Sequence, residues 1–114
     1  MTVLPQLLLV NSNKEQRETL SSYIESRGNF GVIEADSGKS AAALLKTVDI
    51  ACVVSDIYVG ELDGWRLARM VRSGVFNCSD ATPFIIVAST WCKRIAETTA
   101  REFDIDHLLP STQH

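Results

Sequence analysis

The chain has 114 residues, of which 46% are hydrophobic and 22% charged, with a net charge of −3. That is enough for one compact domain and too little for two, and the mild acidity withholds the basic footprint of a nucleic-acid-binding surface. No apolar run approaches the roughly 20 residues of a membrane span, no Lys or Arg precedes Lys14 to start a signal peptide, and three cysteines without C-x-x-C spacing argue against a disulfide framework or a zinc site; together these point to the reducing cytoplasm.

Five short apolar runs alternate with helical patterns. Residues 6–10 form the first predicted strand, and Asn11, Ser12 and Asn13 follow it as helix-capping residues. A helix is expected over 14–27, with Leu20, Tyr23 and Ile24 on one face, stopped by Gly28. A weaker strand, 31–35, leads to a cap at Asp36 or Ser37 and a helix carrying Ala41, Leu44 and Leu45. Residues 50–54 are apolar at every position, as a central strand of a parallel sheet requires. A polar loop over 55–63 ends at Asp63, which can cap a helix whose core face is Leu67, Met70 and Val71 and whose Arg66, Arg69 and Arg72 face water. A fourth strand is expected over 83–88, then a helix with Ile95, Ala96, Thr99 and Phe103 on one face, then a short strand over 105–109 before Pro110.

Strands alternating with helices imply βαβ units, a parallel sheet and right-handed crossovers. There is no internal linker or repeat, so 1–114 reads as one domain. The pattern closes on a strand, and the four residues after Pro110 cannot form a fifth helix. The expectation is therefore an excerpt of a longer protein, or a sheet face that a partner covers.

In an open parallel sheet, ligands bind beyond the carboxyl ends of the strands. That singles out Asn11, Ser12 and Asn13; Asp36; Ser55, Asp56 and Tyr58; Ser89 and Thr90; and the segment around His107. Asp56 is the only carboxylate directly after a fully buried strand, a candidate nucleophile.

The segment Val53-Val54-Ser55-Asp56, with Asp63-Gly64 seven and eight residues past Asp56, resembles the receiver domains of response regulators. Leu8-Leu9-Val10 before a polar cluster, Ala35-Asp36-Ser37-Gly38 before an Ala-rich helix, Pro83 opening the fourth strand, Ser89 beyond it and Pro110 after the fifth agree with that family. The resemblance implies a flavodoxin-like α/β fold of the (βα)5 receiver type, with a five-stranded parallel sheet in the order 2-1-3-4-5 and, here, the fifth helix missing or truncated. It implies a signalling domain rather than an enzyme, with at most self-catalysed transfer of a phosphoryl group from the phospho-His of a histidine kinase or phosphotransfer protein to Asp56. Ser89 would sense the phosphoryl oxygens, with Asn11, Ser12, Tyr58 and Thr90 around the pocket. A magnesium ion would be held by Asp56, Ser12 and the backbone carbonyl of Tyr58. The added charge of about −1.5 to −2 would shift a two-state surface read by an attached or separate output domain.

The sequence departs from that pattern at the residues that do the chemistry. Asn11 and Ser12 stand where the family has an acidic pair, so Asp56 is the only carboxylate left for a cation that favours them. Leu109 precedes Pro110 where the family has Lys, and the spacing from Ser89 is one or two residues short, so the Lys is either replaced or deleted. The fifth strand's switch aromatic is Asp106 or His107, depending on that gap. Magnesium binding should be weak or absent. The competing reading is a receiver-like interaction or dimerisation module that works without phosphorylation. Gly38-Lys39-Ser40 lacks the first glycine of a phosphate loop, which excludes a nucleotide. The loop after the first strand has no Gly to wrap a flavin phosphate. Neither a membrane nor direct nucleic-acid contact is expected.

Overall fold

The computed structural model describes residues 4–57, 62–88 and 105–110. Five strands form one parallel sheet in the order β2-β1-β3-β4-β5. They are β1 (Gln6–Val10), β2 (Gly31–Ala35), β3 (Cys52–Asp56), β4 (Phe84–Ala88) and β5 (His107–Pro110). Three helices are described: α1 (Lys14–Ser26), α2 (Gly38–Thr47) and α3 (Gly64–Arg72). The expected helix around 95–103 and the expected lack of a fifth helix lie outside the described residues. No helix among them is long and apolar enough to cross a membrane.

Each described helix starts on a cap that the sequence announces. The side chain of Asn13 accepts from the Gln16 N–H at α1, and that of Asp63 accepts from the Arg66 N–H at α3. At α2, Ser37 and Ser40 form a reciprocal capping box. Gly28 and Gly74, at φ +77° and +78°, close the turns after α1 and α3 in the left-handed region where a side chain is strained.

The sheet divides two cores. On one face Leu8, Val10, Val53, Phe84 and Ile86 meet Ala41 and Leu45 of α2 and Leu67, Ala68 and Val71 of α3. On the other, Leu7, Leu9 and Cys52 form a smaller cluster with Leu20 and Ile24 of α1. Cys52 is a packed thiol, and burial pushes its pKa up.

Several expectations need correction. β3 runs two residues later than 50–54, because it pairs Leu7 with Cys52 and Val10 with Ser55. Ser55 and Asp56 therefore belong to the strand, and Ser55 is fully buried. β4 begins at Phe84, one residue after Pro83. β5 begins at His107, because the Asp106 carboxylate is used at the strand's entrance. Tyr23 is exposed, since the face of α1 that meets the sheet is set by Leu20, Ser21 and Ile24. Arg72 does not face water: only 15% of its side chain is exposed, and its guanidinium hydrogen-bonds to Asp80, Thr82 and Asp106.

Candidate functional site

Parallel pairing brings the carboxyl ends of β1 and β3 together. Val10 pairs with Ser55, so Asn11, the next residue, reaches the level of Asp56. Asp56 in turn pairs with Val87 of β4, and Val87 with Leu109 of β5. Asp56 is half-buried on the middle strand, and its Oδ1 accepts from the Ile57 N–H at 2.8 Å. Burial lifts its carboxyl above the usual range, and the Ile57 N–H draws it partly back.

The backbone around Asp56 is fixed from two sides. The Ser55 hydroxyl donates to the Asp56 carbonyl at 2.8 Å, and the Gly64 N–H donates to the Ile57 carbonyl at 2.8 Å. A Cβ at Gly64 would lie 2.6 Å from the Asp56 carbonyl oxygen. The Asp63-Gly64 pair therefore has two physical tasks. Asp63 caps α3, and Gly64 lets the start of that helix approach the end of β3. Gly38 does the same for α2, where any Cβ would collide with the Leu62 carbonyl. The Gly38-Lys39-Ser40 run is thus a capped helix start pressed against a neighbouring loop.

The loop after β1 is closed on itself. Asn11 is buried; its Oδ1 accepts from the Asn13 N–H at 2.8 Å, an Asx turn, and its Nδ2 donates to Gln16 Oε1 at 2.9 Å. Arg17 donates through Nη1 to the Asn11 carbonyl at 2.8 Å and through Nε to Glu34 Oε1 at 3.0 Å. Its side chain is only 14% exposed. Ser12 is exposed beside this loop and also makes an interaction of its own. The sequence names Asn11 and Ser12 but not Gln16, Arg17 or Glu34. The Asx turn has a signal in the Asn-x-Asn spacing, whereas the ion pair joins residues 17 apart and has none.

Asn11, Ser12 and Asp56 thus stand at one end of the sheet. Tyr58, Ser89 and Thr90 lie outside the described residues. Leu109 is level with Val87, and hence with Asp56, so along the register a leucine fills that position on β5. No group of three or more His, Cys, Asp or Glu among the described residues can hold a metal ion. Among the described residues that close β1 and β3, Asp56 offers the one carboxylate; Asp36, after β2, accepts from the Ser40 hydroxyl at 3.1 Å, and the Asn11 oxygen already serves the Asn13 N–H. That donor set does not fit a magnesium site of the usual kind.

Over 67 residues the chain is 31% identical to the transcriptional regulatory protein SrrA of Staphylococcus aureus, a match that takes in 59% of this chain and 27% of that protein. It is similar in fold to the chemotaxis protein CheY4 of Vibrio cholerae, with a TM-score of 0.84 at 16% identity over 98% of this chain and 90% of that one. A response regulator receiver protein from Pseudomonas putida gives a TM-score of 0.84 at 22% identity, over 100% and 91% of the two chains. The family described as the response regulator receiver domain matches residues 7–109. Since that match runs from within β1 into β5, it takes in all three described helices and the intervening strands, and the chain belongs to the response regulator receiver domains of two-component signalling.

Proposed function

We propose that Asp56 is the phosphoacceptor of this receiver and that it works slowly. One observation carries the reading: a half-buried carboxylate closes the middle strand at the sheet end where Asn11 and Ser12 also emerge. In the transfer, an Asp56 oxygen attacks the phosphorus of a phospho-His on a histidine kinase or phosphotransfer protein. The P–N bond breaks, the imidazole leaves and takes up a proton, and an aspartyl phosphate remains. Positioning and charge neutralisation are the whole of such catalysis. Attack needs the ionised carboxylate, and burial works against that form. Charge neutralisation is short as well, with uncharged Asn11 and Ser12 beside Asp56 and Leu109 level with it. Ser89 would contact the phosphoryl oxygens, and Tyr58 and Thr90 would border them. The domain would act in the cytoplasm and pass its state to an attached or separate output domain. The acidic chain leaves any nucleic-acid contact to that output domain.

The closed Asn11 loop favours a second reading, a receiver-like module that binds a partner or a second copy without phosphorylation. Incubation with acetyl phosphate, with and without millimolar magnesium, separates the two by intact mass. Slow, partial addition of one phosphoryl group that magnesium barely changes and that Asp56→Asn abolishes is the expected result. Rapid stoichiometric labelling would show that the lost carboxylates matter little, and no labelling under any condition would favour the second reading.

A further inference from the structure

In most of this sheet the apolar pattern itself specifies register. β1, β3 and β4 meet different cores on their two faces, so a one-residue slip would exchange those faces. β5 is different. It is four residues long, His107-Leu108-Leu109-Pro110, and a slip of one position toward the C-terminus puts Leu108 where Leu109 stands, a leucine for a leucine. Pro110 has no N–H to add to the ladder. Side-chain pattern therefore leaves the β4–β5 alignment nearly degenerate, yet that alignment decides which residue stands level with Asp56.

At the entrance to β5 a polar clasp removes the degeneracy. The Asp106 N–H donates to the Phe84 carbonyl at 3.1 Å, and Asp106 Oδ2 accepts from the Phe84 N–H at 2.7 Å. The same oxygen receives Arg72 Nη2 at 2.8 Å. Arg72 Nη1 donates to the Thr82 and Asp80 carbonyls at 2.6 and 3.1 Å. One guanidinium at the end of α3 thus ties the approach to β4 to the first turn into β5. We infer that Arg72 and Asp106 are a positioning pair that sets the register of β5, and through it places Leu109, rather than Leu108 or Pro110, level with Asp56. The inference is independent of whether Asp56 is ever phosphorylated.

Cross-strand NOEs in the labelled full chain read register directly. The parent should show one set, joining the Ile85 and His107 levels and the Val87 and Leu109 levels. Asp106→Ala removes both the ion pair and the acceptor for Phe84. It should give a second, displaced set or lose the β4–β5 NOEs, while those of β1 with β2 and β3 persist. Asp106→Asn keeps an acceptor for the Phe84 N–H and should return the single set. A single native set in Asp106→Ala would overturn the inference, as would an equal loss across the whole sheet, which would mean a role in stability alone. If Asp106→Ala does not fold, Arg72→Leu decides the matter, because it leaves the Asp106–Phe84 bonds in place. A minor displaced set is then expected, and its absence would overturn the inference.

Discussion

The carboxyl of Asp56 carries a cost that its position imposes. Burial lifts its pKa, so the folded chain holds that proton more tightly than the unfolded chain does. The penalty is absent below the ordinary aspartate value of about 3.9. It grows as pH rises through the raised folded value and is complete above it. Asp56→Asn, which keeps an oxygen for the Ile57 N–H, should therefore be more stable than the parent at neutral pH. Urea midpoints at pH 7 and near pH 3.5 check this: a gain at the first and none at the second is expected, and equal midpoints at pH 7 would refute it. The sequence shows this residue clearly, because few carboxylates directly follow a wholly apolar run. It does not show that Ser55 and Asp56 lie inside the strand, because the run's polar end reads as loop until its pairing with β1 is known. Nor does it show Arg17 on the Asn11 carbonyl, since that contact depends on where β2 delivers Glu34.

Among the elements, the helix starts were the most legible, because capping is local chemistry. Asn13, Ser37 and Asp63 each accept from an N–H three residues on. The α2 box has the sharpest consequence. Ser37→Ala removes the acceptor for the Ser40 N–H and should cost about 1 kcal/mol, while Ser37→Thr should recover most of it. Thermal melts followed by circular dichroism measure both, and an unchanged Ser37→Ala midpoint would show that packing of Ala41 and Leu45 alone holds the helix. The helix faces were less legible than their starts. Tyr23 has helical spacing with Leu20, yet lies outside, and Arg72 reads as a solvated charge, yet it is drawn in by carbonyls 8 and 10 residues away and by Asp106. The fifth strand was the least legible, for the physical reason that two adjacent leucines carry no alternation.

For the molecule as a whole, the parallel direction was legible from alternation and the strand order from the resemblance to receiver domains, but the unequal depth of the two cores among the described residues was legible from neither. The α2 and α3 side has fully buried residues on both the sheet and the helices. On the other side α1 buries completely only Ser21, and Leu20 and Ile24 are half-covered. Local opening follows apolar burial. Amides of α1 should therefore exchange with deuterium well before those in the middle of α2 and α3 under native conditions. Mass-resolved exchange of peptic fragments tests this, and equal protection of the three helices would contradict it.

The glycine contacts add a consequence for how any event at the end of β3 spreads. Gly64 brings the first turn of α3 onto the Asp56 main chain, and Gly38 brings that of α2 onto Leu62 just upstream. At both glycines the nearest atom is a main-chain carbonyl oxygen, which cannot rotate aside as a side chain could. A shift of the strand tip would push directly on the start of α3, and a shift of Leu62 on that of α2, and decorating the helices' outer surfaces with different residues would leave those contacts intact.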